Sequence, residues 1–222
     1  MRLNMLLNIF LLVYAALFPI VNPVGSTPIF LSVTQGRSDR ELHRLAGRVA
    51  LNSFCLLAGA MIVGSYVLEF FGISLPVLRI AGGLVVTAFG WRLLHQGAEV
   101  EERGDDKDGA AKPTGDDAFY PLTMPLTVGP GSIAVAITLG SRRPSFTTGH
   151  LLEPVLMIGA ALAGLAAIAV TIYICFRYAK RIVMALGPHG SNVMVRLSAF
   201  ILLCIGIEIL WSGIRGLAGV TV

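Results

Sequence analysis

The stretch NPVGSTP, residues 22–28, lies in the middle of a long apolar segment. Proline removes a backbone donor and its ring clashes with the preceding helical turn, while glycine readily adopts the left-handed conformation that ends a helix. In lipid, an interrupted helix is tolerated only where protein or a water-filled cavity lies against the break. The stretch therefore predicts a broken membrane-spanning helix whose break faces the interior of the protein.

The surrounding chain has the composition of a membrane protein. Of its 222 residues, 55% are hydrophobic and 14% are charged, and the mean hydropathy is +0.77. An apolar run of about 20 residues spans the hydrocarbon core of a bilayer. The chain has six such runs: residues 5–31, 45–68, 73–94, 119–139, 151–176 and 195–217. We predict an all-α integral membrane protein with six transmembrane helices.

A second stretch repeats the pattern of the first. Residues 18–25, FPIVNPVG, match residues 120–129, YPLTMPLTVG, as an aromatic residue followed by two prolines and then Val-Gly. This alignment places Asn22 opposite Met124, so the second copy lacks the side-chain amide.

The first run also resembles a secretory signal peptide, because Arg2 precedes an apolar stretch. Its counterpart later in the chain favours a transmembrane helix instead.

A weaker match pairs residues 78–81, LRIA, with residues 195–198, VRLS. Together the matches predict two three-helix repeats, residues 1–96 and 119–222, whose leading helices, the first and fourth of the chain, are broken. Because three is an odd number, the second repeat enters the membrane from the side opposite to the first. Inverted repeats are a recurrent design of secondary transporters, with the substrate site between the repeats.

The segment between the repeats, residues 97–118, is strongly acidic. It has eight acidic and three basic residues, so the remainder of the chain carries a net charge of +9. Such a segment has little to bury, and we predict a disordered loop. Near the helix ends, twelve Lys and Arg residues lie on the side of this loop and five on the other side. The positive-inside rule then places the loop in the cytoplasm and both termini outside.

We expect the two breaks to form one binding site. A helix that starts at a break presents free N–H groups suited to a carboxylate, and a helix that ends there presents carbonyls suited to a cation. The pair therefore suits a small zwitterion. The candidate residues are small or polar and lie at the breaks: Asn22, Pro23, Gly25, Ser26, Thr27, Thr123, Thr127, Gly129, Gly131 and Ser132. The alternative is that they only kink the helices and satisfy the local backbone.

Two polar residues within the spans are candidates for ion coupling. Glu208 lies in the last span, where a carboxylate is costly and marks a functional site by default. It would relay a proton or attract a cation, or alternatively it would pair with Arg215 two turns on through water or be neutral. Asn52 in the second span is the other candidate, although an interhelical hydrogen bond is the simpler explanation. We expect Na⁺ or H⁺ as the coupling ion, with no other cofactor and no metal site.

Four stretches together resemble the MarC family of bacterial and archaeal membrane proteins: NPVGSTPIFL, RIAGGLVVTAFGWRLL, PLTMPLTVGPGSI and RLSAFILLCIGIEILWSGIRG. The resemblance covers nearly the whole chain. This family is also called the neutral amino acid transporter family, and an archaeal member is associated with uptake of glycine and other small neutral amino acids. It implies binding roles at the motif positions of both breaks. The acidic loop and Glu208 depart from the family pattern, in which an amide is common at the position of Glu208.

The architecture and the resemblance predict a secondary transporter of small neutral amino acids, of the glycine, alanine and serine class, in the cytoplasmic membrane. Its expected partners are a small zwitterionic solute and the lipid bilayer, with no nucleic acid, and a homo-oligomer is compatible with the sequence. The alternatives are an exporter or channel for other small solutes and a non-transporting scaffold. The chain lacks HExxH, GxSxG and paired intramembrane Asp residues, so an enzyme is not expected.

Overall fold

A computed structural model describes residues 2–99, 118–141 and 152–218, and these residues form helices with no β-strand among them. The helices are α1 Arg2–Val21, α2 Pro23–Val33, α3 Asp39–Phe70, α4 Leu75–Glu99, α5 Pro130–Gly140, α6 Leu152–Arg177 and α7 Ala179–Leu217, with a π-helical segment, Ala118–Thr127, before α5. Most of the predicted acidic loop, residues 100–117, lies outside the described residues.

The prediction of an all-α membrane protein is confirmed. Five stretches are long and apolar enough to cross a membrane: Leu3–Val33, Asp39–Phe70, Leu75–His95, Glu153–Arg177 and Gly190–Leu217. The π-helical segment and α5 make a sixth span if they are counted together, with a bend of 72° between them. The first span contains both α1 and α2, so the two broken spans differ in how sharply they bend.

The start of α3 is encoded by its first residues. Ser38 is the N-cap, its hydroxyl accepts from the backbone N–H of Glu41, and its own backbone N–H donates to the Glu41 carboxylate at 2.8 Å. This reciprocal capping box satisfies two donors that the first turn of a helix leaves unpaired. At the other end, Gly72 has φ 65°, a conformation that glycine adopts without strain and that separates α3 from α4.

The apolar core lies between the first span, α3 and α6. Leu17 of α1, Phe30 of α2 and Leu165 of α6 are fully buried. The rings of Phe30 and Phe176 stack with their centroids 4.3 Å apart and their planes 10° from parallel. A fully buried large side chain stabilises a fold by about 1.5–3 kcal/mol in water. In a bilayer close packing supplies most of that gain, since lipid is itself apolar.

Helices α4 and α7 pack closely along their lengths through glycine. A Cβ built on Gly83 would lie 2.5 Å from the backbone N of Leu210, and one on Gly90 would lie 2.8 Å from the backbone N of Leu203. Later residues of α4 therefore meet earlier residues of α7, which makes the two helices antiparallel. Small residues allow the backbones of membrane helices to approach in this way.

The two short helices that follow the breaks cross into opposite parts of the bundle. Helix α2 packs against α6 and α7, whereas α5 packs against α3 and α4. Helix α1 packs mainly against α6, and the π-helical segment packs mainly against α3. Each broken span is therefore held by helices from the other half of the chain, and α2 also contacts the π-helical segment.

Helix α7 is interrupted before its membrane span. Gly187 has φ 66° and ψ 177°, which only glycine adopts readily, and the apolar span begins three residues later at Gly190. The short segment before this kink carries Lys180, whose ammonium forms an ion pair with Asp39 at the start of α3. The two halves of the chain are thus joined by a charged contact at the ends of their helices.

Candidate functional site

The first break centres on Asn22. This residue has φ 47° and ψ 56°, and it is the one residue other than glycine with positive φ in the described chain. Asn tolerates the left-handed conformation better than most residues because its short amide bonds the local backbone. Here its Oδ1 accepts from the backbone N–H of Gly25 at 3.1 Å. Since Pro23 has no N–H, the carbonyl of Pro19 also lacks its usual helical donor.

The hydroxyl groups at the first break differ in their surroundings. Thr27 is completely buried, and its Oγ1 donates to the carbonyl of Pro23 at 2.9 Å. That contact uses its only proton, so the oxygen retains acceptor capacity alone. Ser26 is also buried, with 6% of its surface exposed, and lies one residue closer to the break. The first break is therefore rich in acceptors.

The second break follows the π-helical segment. Tyr120 and Met124 have extended backbone conformations, with φ −125° and −118°, and each precedes a proline. A residue before proline is pushed out of the α-helical region, which explains both interruptions. Helix α5 then begins at Pro130, with Gly129 as an N-cap that has no side chain to bond the first turn. The break thus contains two irregular points and an uncapped helix start.

The predicted hydroxyls of the second break also bond to the local backbone. Thr123 Oγ1 donates to the carbonyl of Ala118 at 2.6 Å, and Thr127 Oγ1 donates to that of Leu122 at 2.7 Å. Ser132 Oγ donates to the carbonyl of Gly129 at 2.9 Å. Thr123, Thr127 and Ser132 are all buried. Each hydroxyl therefore bonds a carbonyl of its own segment, and the carbonyl of Gly129 also accepts from the backbone N–H of Ile133 at 3.1 Å.

The first residues of α2 and α5 align the two breaks differently from the sequence pattern. Asn22 and Pro23 are the N-cap and first residue of α2, and Gly129 and Pro130 have the same positions in α5. By helix position Asn22 therefore corresponds to Gly129, whereas the sequence pattern pairs it with Met124. The pattern contained several prolines, and it aligned one that lies before the bend.

A small cavity lies beside the first break and has a volume of about 10 Å³. Its walls come from both breaks and from α4 and α7: Ile20, Val21, Asn22, Gly25, Ser26, Ile29, Phe89, Leu93, Leu126 and Leu202. A cavity of this size holds about one water molecule. Its polar groups are concentrated on the first break, and the remaining walls are apolar. None of the residues that line it carries a charge.

Three of the residues predicted from the sequence, Asn22, Gly25 and Ser26, line this cavity. The others at the breaks do not: Pro23, Thr27, Thr123, Thr127, Gly129, Gly131 and Ser132. They lie in the adjoining backbone and support it. From the second break, Leu126 reaches the cavity. The structure thus brings the breaks to one place, but the first contributes the polar side chains.

Neither candidate for ion coupling lines the cavity. Asn52 is half-buried on α3. The side chain of Glu208 is 71% exposed on α7, and its Oε1 accepts from Arg215 Nη2 at 3.2 Å. Among the alternatives predicted for Glu208, the structure has the pairing with Arg215, as a direct contact and not one through water.

Sequence reasoning missed Ser198. This residue lies on α7 against Gly25 of α2, and a Cβ built on Gly25 would overlap its side chain. The match between residues 78–81 and 195–198 pointed to this part of α7 but gave Ser198 no role. Ser198 adds a hydroxyl from the second half of the chain next to the first break.

The helices and their two interruptions define an α-helical integral membrane protein with irregular backbone beside a small cavity. The chain belongs to the MarC family: residues 7–218 match the model of MarC family integral membrane proteins. It is 30% identical to the membrane protein YvbG of Bacillus subtilis (strain 168) over 206 residues, 92% of this chain and 93% of that protein.

The inner membrane protein MarC of Salmonella typhimurium is 32% identical over 204 residues, 89% of this chain and 90% of that protein. MarC of Escherichia coli (strain SMS-3-5 / SECEC) is also 32% identical, over 202 residues. The names of these relatives state a membrane location and no substrate. No solved structure matches the chain significantly. The family predicted from the sequence is confirmed.

Proposed function

We propose that this protein is a secondary transporter of small neutral amino acids, of the glycine, alanine and serine class, in the cytoplasmic membrane. The observation that carries the proposal is the cavity between the two breaks, α4 and α7. Irregular backbone at membrane depth is stable only against protein or a cavity. Transporters bind their substrates at such interrupted helices near the bilayer centre.

The packing of the helices supports an origin in two inverted repeats. In the two repeats α2 corresponds to α5, α3 to α6 and α4 to α7. The contacts of α2 with α6 and α7 therefore correspond to contacts of α5 with α3 and α4. Both sets are present, and α4 and α7 remain partners. The antiparallel course of α4 and α7 fits a twofold axis in the membrane plane. Such an axis would let the two halves rock against each other around the cavity.

The chemistry of the cavity supports a small, mainly apolar substrate with charged ends. Asn22 supplies an amide, Ser26 a hydroxyl, and the interrupted backbone supplies carbonyls for an ammonium group. The other walls are aliphatic side chains and Phe89. At about 10 Å³ the cavity is too small for an amino acid, so this conformation corresponds to a closed state. Substrate entry then requires α2 and α7 to separate.

Na⁺ is the coupling ion that the site favours. No residue that lines the cavity titrates near neutral pH, and Glu208 lies elsewhere on α7. In the backbone that adjoins the cavity, the buried hydroxyls of Thr27, Thr123 and Thr127 donate hydrogen bonds to carbonyls, so only their lone pairs remain for a ligand. Oxygen acceptors of this kind suit a hard cation. H⁺ coupling would require a titratable group that the cavity does not contain.

The experiment is uptake of labelled glycine, alanine and serine into proteoliposomes, with a Na⁺ gradient or a pH gradient imposed in either direction. We expect accumulation that follows the Na⁺ gradient and is lost in Asn22→Ala. Gly59→Ala is the matched control, since a Cβ at Gly59 would contact nothing within 4 Å. A signal no higher than that of empty vesicles under every gradient would overturn the proposal and favour a scaffold.

Further assays distinguish a transporter from the other candidate functions. Osmotic swelling driven by small solutes, without accumulation against a gradient, would indicate a channel. Protection of cells from toxic amino acid analogues would indicate an exporter, whereas an importer sensitises them. The proposed orientation, with both termini outside, is tested by a C-terminal reporter that is active only in the cytoplasm. Such a reporter should remain silent.

A further inference from the structure

The outer face of α7 carries a charged pair within the membrane span. With 3.6 residues per turn, Cys204, Glu208, Trp211 and Arg215 lie on one side of the helix. Gly206 and Leu210, which contact α4, lie on the opposite side. Cys204 is exposed, and Trp211 has 53% of its surface exposed. No described helix therefore covers this face.

The pair consists of Glu208 and Arg215, whose side chains are 71% and 37% exposed, with 3.2 Å between Oε1 and Nη2. Both residues belong to the candidate span Gly190–Leu217, in which Glu208 lies nine residues and Arg215 two residues before the end. Charged side chains within spans are costly in lipid, and they almost always face protein or water. We therefore expect this charged face to be covered by protein and not by acyl chains.

We propose that this face binds the same face of a second copy of the chain, around a twofold axis along the membrane normal. Such an axis places the two α7 helices side by side and parallel, with equal residues at equal depth. The guanidinium of Arg215 reaches two turns along its own helix to Glu208. It therefore lies at the same depth as Glu208 of the second copy. The pair is complementary to itself across the axis, as a twofold contact requires.

The two pairs can combine because each has bonding capacity left over. A guanidinium has five N–H donors and a carboxylate accepts several hydrogen bonds, whereas the structure uses one contact between them. In the dimer each Arg215 would bond both carboxylates, and the four charges would be enclosed by protein. Trp211 and the neighbouring aliphatic side chains would form the apolar surround. The inference does not depend on the proposed transport activity.

The first test is disulfide crosslinking of the full chain in native membranes. Cys204 lies on the proposed face, and Cys55 lies exposed on α3. A variant that keeps only Cys204, with Cys55→Ser and Cys175→Ser, should form dimers on mild oxidation. The matched variant that keeps only Cys55 should remain monomeric. Equal crosslinking of both, none by Cys204, or crosslinking of Cys204 only to a different protein would each overturn the proposal.

The second test uses co-expression of two differently tagged variants. Glu208→Leu retains only the arginine and Arg215→Leu retains only the glutamate, so a mixed dimer recovers one pair across the interface. We expect the mixed dimer to form about threefold to tenfold more readily than either variant with itself, the range for one interhelical hydrogen bond in a membrane. Random pairing of the two variants, or a monomeric wild-type chain in lipid nanodiscs, would contradict the proposal.

Discussion

Gly25 of α2 lies directly against Ser198 of α7, so closely that a methyl group on Gly25 would overlap both the hydroxyl and the Cβ of Ser198. The contact joins the first break to the last span of the chain. It also lies at the wall of the cavity, which Gly25 lines. The close approach of α2 and α7 at this wall therefore requires a residue without a side chain at position 25. It is also a point at which the two halves of the protein meet.

Gly25→Ala is expected to abolish uptake in the proteoliposome assay. The added Cβ would also overlap the amide of Asn22, so α2 must move away from α7 and the cavity must deform. Ser198→Gly in the same chain removes two of the three overlapping atoms and should restore part of the activity. Gly59→Ala, which meets no atom within 4 Å, should transport as the wild type does. Unchanged uptake in Gly25→Ala would contradict a substrate path at this wall.

Substitutions of Asn22 should separate its backbone role from its amide. Asn22→Gly keeps the left-handed conformation without strain and loses the cap at a cost of a few tenths of a kcal/mol. Asn22→Ala loses the cap and adds about 1–2 kcal/mol for the left-handed conformation. Thermal unfolding in lipid nanodiscs should rank the stabilities as Asn, then Gly, then Ala. Equal melting temperatures for Gly and Ala would indicate that the break relaxes.

The transport activity of Asn22→Gly gives an independent result. Since this variant keeps the shape of the break, its fold should survive while the cavity loses a polar group. We expect the KM for glycine to rise with little change in the number of protein molecules inserted. If KM is unchanged, the amide serves only to cap α2 through Gly25.

The sequence predicted the spans and the first break because both depend on local residues. Apolar runs decide the helices, and residues 22–28 contain the Pro and Gly that interrupt one. The register of the second break was harder, since prolines at three positions between 121 and 130 can each disturb a helix. Met124 and Gly129 both lie at irregular points, and only the structure shows which begins α5.

Ser198 and the outward position of Glu208 depend on how the helices are rotated about their axes. That rotation follows from packing between residues far apart in the chain, such as Gly83 against Leu210. A single sequence gives the apolar content of a span but little about its lipid-facing side, because both sides are apolar. This is why an intramembrane carboxylate was a candidate for the site although the structure places it outside.

The ion pair of Asp39 and Lys180 should contribute little to stability and depend on salt. Their side chains are 73% and 47% exposed, so water and ions screen the attraction. Asp39→Asn should lower the melting temperature slightly at low ionic strength and not at high ionic strength. Exchanging the charges, with Asp39→Lys and Lys180→Asp together, should restore the wild-type value. A large loss that persists in high salt would show that the contact does more than join α3 to α7.

Glycines of α4 and α6 should respond oppositely to the same substitution. Gly83→Ala would place a Cβ 2.5 Å from the backbone N of Leu210, which cannot rotate away, so α7 must shift. Overpacking of this kind costs about 1–3 kcal/mol. At Gly159 an added Cβ meets nothing within 4 Å, and alanine favours a helix over glycine by about 0.8–1.0 kcal/mol. Thermal unfolding in nanodiscs should therefore show a lower melting temperature for Gly83→Ala and an equal or higher one for Gly159→Ala. The reverse order would mean that α4 and α7 do not pack in this register.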